Sequence, residues 1–355
     1  MDRATVAAYE ARGASWAARR RPVRARDAAA FGRRVATGAL RIDLGAGAGR
    51  YTTALGRPVV ALDAAASMLG LLRQEAPHAL AVQADLEALP FRAASLHGAW
   101  ANMSYQHLPA ARVPLALADL HRALAVGAPV DVQVLAGNGE GHALAGDDIG
   151  GRFFAGWLPE RLRDVLVGAG ITVDHVGVEG DGVRASGARA RTLPDTVGPG
   201  MRLLVCGLNP SLYAADRGVG FARPGNRFWP AALAAGLVSR PRDPRHALTQ
   251  HGIGMTDLCK RATTASAQLT AAEYRQGADR VQRLVEWLAP RAVAFVGLEG
   301  WRAARDRHAA AGVQPHPFGG RPVYLMPSTS GLNARSSPAS LADHLRAAAR
   351  LADES

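Results

Sequence analysis

Two hydrophobic patterns alternate along this chain. Short apolar runs at residues 40–44, 59–62, 79–83, 98–101 and 130–135 are continuous enough to be buried on both faces. Between them lie stretches of helical period, such as residues 115–124, and the first 38 residues also read as helical. This alternation predicts a largely parallel sheet covered by helices on both faces. A Gly/Asp-rich loop follows at 137–151, then a helix over 159–168 and two further strands. The pattern lapses in the Gly-, Pro- and Arg-rich stretch 182–200 and restarts at Met201 with a second strand–helix alternation. The prediction is an α/β chain of two Rossmann-like three-layer domains, residues 1–192 and 201–355, joined by a linker at 193–200. The halves share a fold class and no sequence repeat.

Composition narrows the choice of partners. Lys and Arg number 42 against 30 Asp and Glu, a formal charge of +12, which favours a polyanion such as nucleic acid. Nearly all of this charge is arginine, because Lys260 is the only lysine, so compositional bias is the competing explanation. Cys206 and Cys259 are too few for a disulfide framework and lack zinc-site spacing, so a reducing cytoplasm is expected. No long apolar run suggests a membrane span.

In the first half, Ile42-Asp43-Leu44-Gly45-Ala46-Gly47-Ala48-Gly49 is a strand running into a glycine loop that opens a helix. Glycines there let a ligand approach the backbone closely. Asp63 ends the next strand, where a carboxylate accepts hydrogen bonds from ribose hydroxyls. The spacing departs from the dinucleotide fingerprint, because Gly49 falls one residue early and Arg50 stands where the third glycine belongs. The D-x-G-x-G-x-G pattern resembles class I S-adenosylmethionine-dependent methyltransferases. The segments DAAASML (63–69), ADLEALPF (84–91) and ANMSYQHL (101–108) support that resemblance. It implies that Asp43, Gly45 and Gly47 line the methionine side of S-adenosylmethionine and that Asp63 holds the ribose. It also puts Met68 on the adenine, with Asp85 and Leu86 at the adenine rim. His107, just before Leu-Pro, reads first as structural, with general base as the alternative. The half contains no cysteine to attack a pyrimidine ring, and Asn102-Met103-Ser104-Tyr105 lacks paired prolines, so the methyl acceptor stays unassigned.

In the second half, the run Leu203-Leu204-Val205-Cys206 breaks at Gly207 and continues Leu208-Asn209-Pro210, which places Asn209 at the carboxyl edge of a sheet. The blocks GLNPS, PGNRFW, GIGMTDLCKRATT, AEYRQGADRV, AVAFVG and MPSTSGLNA follow in order between about residues 201 and 349. Together they resemble the mismatch-specific uracil/thymine DNA glycosylases. The resemblance implies that Asn209 orients the hydrolytic water and that a backbone N–H near Leu208 or Phe221 serves the base carbonyl. Phe221 would stack on an extruded base. Ala214, small and apolar, would leave room for the 5-methyl of thymine. Gly331, Leu332 and Asn333 would form the loop entering the duplex, with Leu332 as wedge and Arg335 on a phosphate. Ser211 replaces the usual glycine after Asn-Pro, and Gly220 stands where some members carry histidine. The implied partner is double-stranded DNA with G·U or G·T mismatches, and the glycosylase needs no cofactor. The alternative is an active methyltransferase with a non-catalytic, nucleic-acid-binding second domain.

Overall fold

The computed structural model describes residues 1–142, 144 and 146–355. It divides into two compact units: residues 1–167 with 171–190, and residues 168–170 with 191–355.

The first unit opens with helices α1 (Arg3–Arg19) and α2 (Ala25–Arg34). They are followed by β1 (Arg41–Leu44), β2 (Val59–Asp63), α3 (Ala66–Glu75), β3 (Leu80–Gln83), β4 (Ala99–Asn102), α4 (Val113–Ala123) and β5 (Pro129–Leu135). A two-stranded ladder, β6 (Glu140–Gly141) with β7 (Phe154–Ala155), lies in the Gly/Asp-rich region. The unit continues with α5 (Pro159–Gly168), β8 (Ile171–Glu179) and β9 (Gly182–Arg189). The sheet order is β3-β2-β1-β4-β5-β9-β8. The first five strands are parallel, and β8 and β9 add an antiparallel hairpin. Strand order reverses between β1 and β4; the β1–β2 connection forms turns, not the helix expected to open after the glycine loop. A buried charge cluster ties α2 to the sheet. Arg24, the N-cap residue of α2, donates to Asp131 (3.1 Å), Gln133 (2.9 Å) and Asn102 (3.0 Å), with its guanidinium over the Trp100 ring.

The second unit comprises β10 (Leu203–Gly207), α6 (Leu212–Arg217), α7 (Phe228–Ala234), α8 (Pro244–His251), β11 (Ile253–Asp257), α9 (Ala271–Leu288), β12 (Ala292–Val296), α10 (Leu298–Ala304), β13 (Gly312–Val313), β14 (Val323–Met326) and α11 (Pro338–Asp353). Its sheet runs β11-β10-β12-β14-β13, parallel except for β13, and its strand order reverses between β10 and β12. Every residue of β10 and β12 is buried, as their uninterrupted apolar runs predict. A capping box between Thr270 and Glu273 starts α9. Gly277 lets α9 close on the sheet edge, since a Cβ there would stand 2.0 Å from the Leu258 carbonyl oxygen.

The segment expected to be a linker is structured. Thr196 exchanges two 2.8 Å backbone hydrogen bonds with Met255 on the edge of β11, and Leu193, Asp195 and Val197 are buried. After β9 the second unit resumes at Arg191, ahead of the expected linker. Among the described residues, no helix is long and apolar enough to cross a membrane.

Candidate functional site

In the second unit the site forms at the carboxyl ends of β10 and β11, on the other side of β10 from the point where the strand order reverses. Asn209 follows β10 directly. Its amide nitrogen donates to Thr263 Oγ1 (2.8 Å), the Arg261 carbonyl (2.9 Å) and the Pro210 carbonyl (3.2 Å). The loop after β11 thus fixes the amide, and Oδ1 is left without a protein donor among the described residues. A neutral amide oxygen held this way can accept a hydrogen bond from water but is a weak base.

Phe221 sits with φ +57, a conformation that disfavours non-glycine residues and tends to persist at functional positions. One face of its ring stacks on Phe228, with centroids 4.2 Å apart and planes at 20°. Its edge approaches Gly207, where a Cβ would meet Asp257 Oδ1 at 2.5 Å and Phe221 Cζ at 3.3 Å. Gly207, Asp257 and Phe221 therefore converge, and glycine at 207 is a steric requirement. Burial pushes the Asp257 carboxyl up to about 6.

Asp257 was not singled out in the sequence. It lies in the GIGMTDLCKRATT block and ends a strand beside β10, so the carboxyl-edge argument applied to Asn209 reaches it as well. Beneath it lies a buried ion cluster. Asp195 accepts from Lys260 Nζ (2.9 Å), Thr256 Oγ1 (2.7 Å) and Arg280 (2.7 Å), while Arg280 also donates to the Asp257 carbonyl (2.9 Å). Burial raises the Asp195 carboxyl, but the charges of Arg280 and Lys260, with hydrogen bonds from Lys260 and Thr256, outweigh it and leave the group below the usual carboxylate range.

The loop after β14 is held by Arg227. This guanidinium donates to the carbonyls of Ser336 (2.5 Å), Asn333 (2.7 Å) and Ser330 (2.9 Å), and the Arg227 N–H donates to Thr329 (2.9 Å). Asn333 braces the loop through its amide to the Ser328 carbonyl (2.8 Å). Gly331 packs so closely that a Cβ would stand 2.8 Å from the Gly225 carbonyl oxygen. On this base Leu332 is 86% exposed, and Arg335 is exposed beside it. Leu208 is half-buried, with its side chain close against Gly300. Ala214 behaves differently from expectation. It is 3% exposed in α6 and does not line the small cavity beside Phe221 and Asp257, which Gly218 and Gly220 border instead.

In the first unit, Gly45 and Gly47 take φ +66 and +56 after β1. A Cβ at Gly45 would stand 2.4 Å from Ser104 Cβ, so the loops after β1 and β4 touch at the point of strand reversal. Asp43 is buried and accepts from Thr52 Oγ1 (2.6 Å), and burial lifts its carboxyl to about 7. Asp63 accepts from the N–H groups of Gly47 (2.8 Å) and Ala65 (2.9 Å). Beside it opens a cleft of about 510 Å³ bordered by Met1, Glu10, Ala64, Gln83 and Asp85. Ser104 Oγ, Tyr105 OH and Gln106 Oε1 are buried without a hydrogen-bond partner among the described residues.

Met68 is 1% exposed, close to Gly13 of α1 and to Gly47, and Leu86 is fully buried, while Ala64 and Asp85 line the cleft. His107 is buried and kept neutral, with burial lowering it to about 4. Its Nδ1 lies 2.7 Å from the Phe153 carbonyl and must donate there, so Nε2 accepts from Tyr9 OH at 3.2 Å. Arg152 donates to the same hydroxyl at 2.9 Å. His107 therefore positions Tyr9.

Comparison with known proteins agrees with this division. The sequence model of the uracil DNA glycosylase superfamily matches residues 194–351, and that of a methyltransferase domain matches residues 42–130. The chain thus joins a methyltransferase domain to a uracil DNA glycosylase superfamily domain. Among solved structures, a SAM-dependent methyltransferase from Methanosarcina mazei is 14% identical, with 45% of this chain and 97% of that one covered and a TM-score of 0.41. An S-adenosylmethionine-dependent methyltransferase from Mesorhizobium loti is 16% identical, with coverage of 43% and 91% and a TM-score of 0.36. The 1,6-didemethyltoxoflavin-N1-methyltransferase of Burkholderia thailandensis is 18% identical, with coverage of 52% and 85% and a TM-score of 0.43.

The role of Arg227 is directly testable. Arg227→Ala removes partly buried, charge-assisted hydrogen bonds, each worth up to roughly 1.5–3 kcal/mol. Amide hydrogen exchange should accelerate by about tenfold or more across residues 328–336, with the β10 amides unchanged. Unchanged exchange in that loop would show that Arg227 does not hold it.

Proposed function

We propose that the C-terminal domain is a monofunctional DNA glycosylase that hydrolyses the N-glycosidic bond of uracil, and more slowly of thymine, in G·U and G·T mismatches. The observation that carries this reading is the fixed Asn209 amide. Three acceptors occupy its nitrogen and leave Oδ1 for water, while Phe221, anchored on Phe228, offers a ring to an extruded base. Extrusion takes the nucleotide out of the stack, and exposed Leu332 fills the gap it leaves. Asn209 Oδ1 aligns the water on C1′. Because the amide is a poor base, bond cleavage runs ahead of attack, and the phosphates of the DNA stabilise the sugar cation. Backbone N–H groups near Leu208 and Phe221 take the charge that grows on the base carbonyl. The loop carrying Asn209 contains no lysine to form a Schiff base, so the product is an abasic site in an uncut strand.

The N-terminal domain binds S-adenosylmethionine, which supplies an electrophilic methyl group. Asp63 accepts from the ribose hydroxyls, Gly45 and Gly47 admit the methionine portion, and Asp85 with Ala64 borders the adenine. The unpartnered polar atoms of Ser104, Tyr105 and Gln106 fit a polar ligand at this edge. The methyl acceptor is an unassigned nucleophile.

The decisive assay for the C-terminal domain is uracil release from a G·U duplex under single-turnover conditions. Asn209→Ala should slow release by about two to three orders of magnitude, the scale for loss of one positioned polar group. A near-wild-type rate would remove Asn209 from the mechanism.

Asp257 gives a pH signature. Its carboxyl, raised by burial to about 6, is ionised above that pH and then opposes a departing pyrimidine anion; below it, the protonated acid can donate to the base. Excision should therefore accelerate as pH falls through about 6, and Asp257→Asn should flatten that step. The same step in the variant would assign the titration to another group. The sign for stability is parallel. A carboxyl with a raised folded pKa stabilises the fold below its unfolded value, and that contribution is lost as pH rises toward 6.

For the N-terminal domain, calorimetry should show S-adenosylmethionine binding that Asp63→Ala weakens by about 1.5–3 kcal/mol, the loss of a hydrogen bond to a charged group. Unaltered affinity would move the ribose elsewhere.

A further inference from the structure

The cavity beside Phe221 and Asp257 has a wall that none of the glycosylase motifs supplies. Leu193, Pro194 and Thr196, from the segment ahead of β10, close it opposite Gly218 and Gly220. Leu193 is 5% exposed, and its Cδ1 lies 3.9 Å from the point a Cβ on Gly220 would occupy. The segment is pinned at both ends. Arg191 makes a two-pronged ion pair with Asp216 (2.6 and 2.7 Å), and the Thr192 hydroxyl donates to the Lys260 carbonyl. Downstream, Asp195 sits in its three-donor nest, and Thr196 pairs with Met255. Between the pins, Leu193 and Pro194 take part in no hydrogen bond among the described residues.

The partly open space measures about 20 Å³, the room of a single water and far less than a pyrimidine ring. Something must yield for a base to enter. Phe221 is stacked on Phe228, and Asp257 ends a strand hydrogen-bonded along its length. The Leu193–Pro194 span is held by packing, outside any strand ladder.

We propose that Leu193 is a specificity-determining residue, the side chain whose bulk sets how large a 5-substituted pyrimidine the pocket admits. This rests on the glycosylase reading of the C-terminal domain. It moves control of base size from Ala214, which lines none of the cavity, to a residue upstream of the first strand of the domain. Leu193 acts by excluded volume: removing its branched end lets the substituent of the base occupy the space against Gly220.

The test compares full-length wild type with Leu193→Ala and the milder Leu193→Val. Single-turnover excision is measured for uracil, thymine and 5-iodouracil opposite guanine, with thermal melting to confirm that each variant is folded. The 5-iodouracil-to-uracil rate ratio should rise by about tenfold or more in Leu193→Ala and by less in Leu193→Val, the range expected when one apolar contact is removed. If Leu193→Ala does not fold, Leu193→Val carries the comparison. A ratio within about twofold of wild type in the folded variants overturns the proposal. Ligand-observed NMR with free uracil and free 5-iodouracil probes the same wall without turnover. A shift of binding selectivity toward 5-iodouracil supports it, and unchanged selectivity overturns it. Absence of uracil release by the wild type, alongside shifted binding selectivity, overturns the glycosylase reading and leaves the wall in place.

Discussion

The C-terminal domain depends on one buried carboxylate. Asp195 is 3% exposed and accepts from a lysine, an arginine and a threonine that reach it from the loop after β11, from α9 and from β11 itself. Burying such a group is costly unless every lone pair is matched, and a matched cluster contributes geometry more than net stability. Here the geometry has three products. The Arg191–Thr196 segment lies against the sheet edge, Arg280 reaches the Asp257 carbonyl at the end of β11, and Lys260 is held beside the loop that grips Asn209. Removing Asp195 would take from Lys260 and Arg280 the carboxylate they share.

The two domains apply one topological rule to different chemistry. Each has a parallel sheet whose order reverses, and each places its candidate site at the carboxyl edge. In the first, the glycine loop after β1 lies against Ser104 after β4, and a separate cleft opens beside Ala64 and Asp85, after β2 and β3. In the second, Gly207 after β10 makes room for Asp257 and Phe221, and Asn209 is set by the neighbouring loop. The fold supplies the position, and the residues at the edge supply the reaction class.

Much of this was legible in the sequence, for local reasons. The buried runs of β1, β2, β10 and β12, the glycine loop and the Asn-Pro turn are encoded within a few residues. The linker was misjudged because 182–200 carries the Gly, Pro and Arg content of a loop. What orders Asp195 is contact with Lys260 and Arg280, 65 and 85 residues further on. Met68 and Ala214 rest on correspondence of motif, and both are buried in their helices. Arg227 was visible only as part of PGNRFW. That it braces the loop bearing Leu332 emerges once α7 and the segment after β14 are brought together.

The central claim is that the edge formed by Gly207, Asn209, Phe221 and Asp257 is a pocket for an extruded pyrimidine, with Leu332 as its counterpart inside the duplex. A crystal structure of the protein bound to a G·U duplex containing cleavage-resistant 2′-fluoro-2′-deoxyuridine tests this most directly. The account predicts the uracil ring stacked on Phe221, a water on Asn209 Oδ1 facing C1′, and Leu332 inserted in the base stack. A duplex bound with its uracil still paired, Leu332 in solvent and no base at Phe221 would contradict it.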